Sequence, residues 1–207
     1  SPDGDSVYVC TDHASDTLRL ERISLGSDGE GGDGETLGDL FVVEGGGEWN
    51  VDGVVVDRDT NRVACSRNVE GYTELTIGEF TGPDRIDPFA EPALPECVAG
   101  GVSFGPDADR VAVTVTGSTV NTNTYVVDVK SGETTRWTHA ATAGVPEDTF
   151  VEPELVHYPT FDDREIPAFF STPDGADEGD TPVVVDIHGG PESQRRPSFN
   201  AVKQYFL

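Results

Sequence analysis

The sequence contains no methionine, only two lysines (Lys130 and Lys203) and only three cysteines in 207 residues. Without even an initiator methionine, the chain reads as an internal segment or a processed chain. Its first residues, Ser1-Pro2-Asp3-Gly4, carry neither the basic region nor the apolar core of a signal peptide. Long apolar runs are also missing. Those present, such as Val54-Val55-Val56 and Val183-Val184-Val185, fall far short of the ~18 residues of a membrane span. Cys10, Cys65 and Cys97 are too few and too far apart for a disulfide framework or a zinc site. Lying in apolar strand-like runs, Cys10 and Cys65 are expected to be buried small hydrophobes.

Positive charge is the scarcest property. Lys and Arg together number 13 against 39 Asp and Glu, which leaves a formal charge of −26. So acidic a chain is a poor ligand for nucleic acid or an anionic membrane, both polyanions. Disorder is the first alternative for such a composition. Yet 35% of residues are apolar, and they cluster in regular strand-like patches, which points to a folded protein with a carboxylate-rich surface. The Asp-rich, Lys-poor balance is similar to that of a cytoplasmic protein from an extreme halophile. Mutual repulsion then opposes folding at low salt, and screening relieves it, because the Debye length shrinks to about 3 Å at 1 M. A thermal melt of the complete protein should therefore shift upward between ~0.1 and ~2 M KCl, and an unchanged melt would refute this account of the charge.

Residues 1–139 read as short strands and turns with almost no helical periodicity. Three related blocks recur: Ser6-Val7-Tyr8-Val9-Cys10, Arg62-Val63-Ala64-Cys65-Ser66 and Arg110-Val111-Ala112-Val113-Thr114. Val7, Val63 and Val111 are spaced 56 and 48 residues apart. Repeats of ~40–50 residues with about four strands each signify propeller blades. One complete unit is expected as strands over 51–57, 62–68, 73–80 and 85–89. The next is expected over 98–104, 110–116, 123–129 and 134–138, with Lys130-Ser131-Gly132-Glu133 as a hairpin turn whose glycine takes positive φ. The first unit lacks its inner strand, so about three blades are expected, the first incomplete. A Gly/Asp/Glu-rich insertion over 26–38 accounts for the longer first spacing.

The pattern changes near residue 140. A linker over 140–154 precedes two strands, around Leu155–Tyr158 and Ile166–Phe170, joined by a turn at Phe161-Asp162-Asp163-Arg164. Val183-Val184-Val185-Asp186-Ile187 reads as a strand buried on both faces, as at the centre of an α/β sheet. It runs into His188-Gly189-Gly190-Pro191, and residues 201–207 read as the start of a helix. A glycine pair lets backbone approach a ligand and aim N–H groups at it. In α/β-hydrolases one oxyanion donor comes from such a strand-to-helix loop. Pro191 has no N–H, so only Gly189 or Gly190 could donate. Taken alone, the loop reads equally as an ordinary tight turn.

The stretch Tyr158-Pro159-Thr160-Phe161-Asp162-Asp163-Arg164-Glu165-Ile166-Pro167-Ala168-Phe169, then Pro182 to Ile187, His188-Gly189-Gly190-Pro191-Glu192-Ser193-Gln194, Arg196-Pro197-Ser198-Phe199-Asn200 and Gln204-Tyr205 resembles the prolyl oligopeptidase family of serine peptidases. Its nearest branches are the acylaminoacyl-peptidases and dipeptidyl-aminopeptidases. The resemblance is specific over 150–207 and architectural over 1–139. It departs from the family at Asp163, where relatives usually carry glycine. It implies partial β-propeller blades over 1–139, a linker over 140–154, and the N-terminal part of an α/β-hydrolase domain over 155–207, truncated before the nucleophile elbow. It implies Ser-His-Asp chemistry on a short peptide substrate. The family's second motif glycine makes Gly190 the oxyanion donor, Gly189 the second choice, and His188 and Pro191 loop supports. No G-x-S-x-G elbow occurs here: Ser193 and Ser198 lie in other contexts, so the triad is expected downstream and the segment alone inactive. No cofactor or metal is expected.

Other candidates read as structural. His13, His139 and His157 are scattered. Asp57-Arg58-Asp59-Thr60-Asn61 begins like a calcium loop, but Arg62 stands where glycine is required. Gly31-Gly32-Asp33-Gly34-Glu35-Thr36 matches a calcium β-roll repeat only once. Arg195-Arg196 suits a peptide carboxylate less well than local salt bridges, and Glu192 reads as an exposed loop acid rather than a contact for a substrate amine. Two functional alternatives remain beside a peptidase: a non-enzymatic propeller serving as a ligand- or protein-binding module, and an esterase, which would share the oxyanion loop.

Overall fold

The computed structural model describes residues 6–25, 40–176, 179, 181–190 and 193–207. The insertion over 26–38, with its single β-roll-like repeat, lies outside the described residues, as do Pro191 and Glu192. The fold is nearly all β. Strands β1 (Ser6–Thr11), β2 (Arg19–Ser24) and β3 (Leu40–Glu44) form a three-stranded sheet. Strands β4 (Val51–Asp57), β5 (Arg62–Val69), β6 (Tyr72–Gly82) and β7 (Arg85–Pro88) form a four-stranded one. A second four-stranded sheet holds β8 (Val98–Phe104), β9 (Arg110–Thr116), β10 (Asn123–Asp128) and β11 (Thr134–Arg136). Each is an antiparallel meander in which neighbours in sequence are neighbours in space. The bounds of β4, β8 and β9 are those the alternation predicts. A separate hairpin pairs β12 (Glu154–Pro159) with β13 (Glu165–Phe170), and one short helix, α1 (Ala201–Phe206), closes the chain. Among the described residues no helix is long and apolar enough to cross a membrane.

The period of two along β5 explains how the sheets stack. Val63 and Cys65 join Leu20 and Phe80 in a core with Tyr8 and Val43 of the first sheet. Ala64, between them, points the other way and joins Leu75, Ile77 and the wholly buried Val111, Val113 and Val115 of the third sheet. One strand thus serves two cores, because successive side chains leave a strand on opposite faces. Burial pushes the Cys65 thiol up to about 12, and Cys97 up to about 11. Cys10 departs from expectation: it is exposed. It sits opposite Leu20, but β1 is an edge strand, so solvent reaches it from the side. Polar contacts also join sheets one and two. Buried Arg22 holds Asp84 of the β6–β7 turn through two bonds, at 2.5 and 3.0 Å, and lies over the Phe41 ring.

The turns follow their residues. Asp57 Oδ2 accepts from the Thr60 amide (3.0 Å) and hydroxyl (2.6 Å), and Asn61 takes φ 58, so this stretch is a turn between β4 and β5. Gly132 takes φ 72 as expected. Asp163 takes φ 61, a left-handed conformation that aspartate tolerates better than most side chains.

The run Val183–Ile187 corrects the sequence reading. It belongs to none of the sheets, and its valines and isoleucine are 74–81% exposed. A strand buried on both faces requires hydrogen-bonded strands on each side, and none of the described strands pairs with this one. The α/β part of the expected fold is therefore not formed by these residues.

Candidate functional site

Several described residues between Phe150 and Gln204 dock against one end of the two complete sheets. Because the strands alternate in direction, the start of β4, the β5–β6 turn and the end of β9 share that end. Thr73 binds the start of β8 to it: the Thr73 amide donates to Cys97 O (2.8 Å) and the Ala99 amide to Thr73 Oγ1 (3.0 Å). The β5–β6 connection is a two-residue turn in which Glu70 (φ 50) and Gly71 (φ 94) both take positive φ, as a type I′ hairpin requires. The Asn68 side chain caps it by accepting from the Gly71 amide (3.0 Å).

This turn meets three parts of the C-terminal segment. His157 of β12 contacts Glu70 (2.8 Å). Phe169 of β13 meets Tyr72 edge-on at 5.7 Å, and its ring occupies the space a Gly71 side chain would need. Gln194 accepts from the Asn68 side-chain amide (2.7 Å). Beyond the turn, the Gln204 side chain from α1 donates to Ser118 O and Val151 O and accepts from the Val151 amide. Phe150 and Phe199 meet at 5.2 Å, and Thr116 Oγ1 accepts from the Phe199 amide (3.1 Å).

The loop with the glycine pair lies at the margin of this contact. His188, Gly189 and Gly190 are exposed. His188 Nδ1 lies 2.8 Å from Gly189 O; since a carbonyl only accepts, Nδ1 carries the proton. Asp186 and Arg195, on either side of the loop, pair at 2.5 Å. Arg195 thus makes the local ion pair expected of it, whereas Arg196 reaches to the sheet end, over a hundred residues away. Each nitrogen of the Arg196 guanidinium has a partner there, which makes it a poorer receptor for a peptide carboxylate. Ser193 and Ser198 are exposed on this segment.

Beside the β5–β6 turn lies an open groove of about 810 Å³, walled by β6, the proline-rich stretch 88–97, Pro153 and Leu155. Glu70, Glu74, Glu91 and Glu96 line it against one cation, Arg67. Burial, with the Glu96 and Glu152 carboxylates, pushes the Tyr72 phenol above its ordinary value. The sequence did not single out Gly71 or Thr73, and it marked Gln204 only as part of the family resemblance, with no contact assigned to it. An Asn-x-Glu-Gly turn between alternating strands marks a hairpin, but nothing in it tells what the hairpin touches.

No family model matches the chain, and no curated protein matches it. Among solved structures, one from a structural and mechanistic study of two prolyl endopeptidases matches with a TM-score of 0.65 and 20% identity over 96% of this chain. This chain spans 27% of the length of that one. At such identity the likeness concerns the fold: a propeller-like array of antiparallel sheets, with no closed barrel.

Proposed function

We propose that this chain is the segment of a serine peptidase in which propeller blades meet the beginning of the catalytic domain, and that the full-length enzyme hydrolyses short peptides or acyl-peptides. The observation that carries the reading is the docking of the segment bearing His188-Gly189-Gly190 onto the end of the blades. The fold likeness to a prolyl endopeptidase structure supports it. On this reading residues 1–139 are the partial propeller, 140–154 the linker, and 155–207 the start of an α/β-hydrolase domain. The blades would restrict entry to short chains. The acidic surface would keep the protein folded in concentrated salt.

In the full-length enzyme a downstream serine would attack the scissile carbonyl, a histidine would take its proton, and an aspartate would orient the histidine. The Gly190 amide would donate to the oxygen as it gains negative charge, Gly189 being the second choice, with His188 and Pro191 supporting the loop. Gly189 and Gly190 are both exposed, so their backbone is accessible for that role. The Val183–Ile187 run would then pair with strands contributed from beyond Leu207, which would cover its apolar side chains.

A fluorophosphonate probe tests this reading. The full-length protein should be labelled and lose its hydrolysis of short peptide amides in step, while the 207-residue segment stays unlabelled. A full-length protein that neither reacts nor hydrolyses sinks the reading; labelling of the segment would mean that the nucleophile lies among these residues.

A further inference from the structure

Arg196 is the one side chain of the C-terminal segment that grips the sheet end through every part of its guanidinium. Nε donates to Gly71 O at 2.8 Å, Nη2 to Thr73 Oγ1 at 2.8 Å, and Nη1 approaches Asp52 Oδ2 at 3.3 Å. These partners come from the β5–β6 turn, from β6 and from the start of β4. Pro197, next in sequence, is buried, with its Cδ 3.4 Å from the position of a Gly71 Cβ. Preceding Arg196, Arg195 pairs with Asp186 and so closes the loop that contains Gly189 and Gly190. A path of covalent and ionic links therefore runs from the blade end through Arg196 and Arg195 to both feet of the glycine loop. The loop has a second tie to the blades, the Asn68–Gln194 bond at 2.7 Å, next to the Arg195 foot; residues 181–190 are all exposed.

We propose that Arg196 is a positioning residue: by docking on Asp52, Gly71 and Thr73 it holds the feet of the 186–195 loop in register with the blades, and so sets where the Gly190 amide points. Its catalytic consequence rests on the peptidase reading above; its structural part does not. A planar fork suits this task because it satisfies a carbonyl, a hydroxyl and a carboxylate at fixed angles. Lysine supplies a single charged point and reaches only one of them at a time. Small displacements of an oxyanion donor have large kinetic costs, since its value depends on distance to the developing charge.

The test compares full-length wild-type protein with Arg196→Met and Arg196→Lys. Amide exchange is followed at Val151 and Phe199, whose amides donate to Gln204 and Thr116, and at the core strands β5 and β9. Loss of the fork should speed exchange at Val151 and Phe199 about tenfold in the Met variant, less in the Lys variant, and leave β5 and β9 unchanged. In a peptidase-active enzyme, kcat should fall about 10- to 100-fold in the Met variant with KM nearly constant, and Lys should restore part of it. Unchanged exchange at Val151 and Phe199, or loosening that spreads to β5 and β9, overturns the tether. A normal kcat in an active Met variant overturns its effect on the loop while leaving the peptidase reading intact. If the full-length protein has no peptidase activity, that reading fails, and the exchange data decide the tether on their own.

Discussion

On the peptidase reading proposed above, replacing Gly190 by proline in the full-length protein is expected to lower kcat by about 10²–10³, the cost of losing one oxyanion donor. Proline removes the N–H, but it also holds φ near −65°, whereas Gly190 sits at φ 156. Gly190→Pro therefore shifts backbone as well as deleting a donor. Gly190→Ala keeps the N–H and serves as the control for the backbone shift alone. The expected order of kcat is wild type, then Ala, then Pro, and the ratio of Ala to Pro reports the donor. Both variants replace a glycine at positive φ, so each should lower the melting temperature by a similar, moderate amount, and the ratio of their kcat values still isolates the donor. If Gly190→Pro folds and retains near-normal kcat/KM on a peptide amide, the loop is a structural turn, and the main reason for reading a hydrolase is gone.

The largest loss of stability is expected at Gly132. This residue takes φ 72 in the turn between β10 and β11, and an added Cβ would lie 2.2 Å from Glu91 O and 2.9 Å from Glu91 C. The backbone it would strike is held in place, since the Ala93 amide donates to Gly132 O at 3.0 Å. Both obstacles are main chain, so no side-chain rotation relieves them. Gly132→Ala thus combines a left-handed conformation, costing roughly 1–2 kcal/mol, with overpacking of about 1–3 kcal/mol. For a chain of this size that corresponds to a melting shift of roughly 5–15 °C. Gly144 provides the matched control. It takes φ 85, yet nothing lies within 4 Å of its Cβ position. Gly144→Ala should show the conformational cost alone. Equal losses for the two alanine variants would mean that the 88–97 stretch moves aside freely, contrary to the close fit described.

The same contrast between local rule and distant neighbour governs what could be read in the residues themselves. Strands β4, β8 and β9, the Lys130-Ser131-Gly132-Glu133 turn, the β12–β13 hairpin and α1 were all legible. Their signals are short-range: alternation every second residue, turn residues at fixed offsets, and an asparagine at the helix start whose side chain accepts from the Val202 and Lys203 amides.

What the residues could not reveal is who faces whom. The apolar run Val183–Ile187 promised a buried strand, but burial belongs to the surroundings of a segment, and here no strand lies beside it. Cys10 shares the pattern of Cys65 yet is exposed, because one lies on an edge strand and the other between two sheets. Arg196 read as a local charge because sequence shows only its near neighbours, all of them compatible with a surface salt bridge. Its actual partners, Gly71, Thr73 and Asp52, lie more than 120 positions away. The sequence by itself thus determined the strands of the two complete sheets, their turns and the acidic composition, since each depends on dihedral preference or charge within a few residues. Only the tertiary structure decided the stacking of the sheets and the contacts of Arg196 with their end, since packing and ion pairing depend on distance in space, which chain separation does not encode.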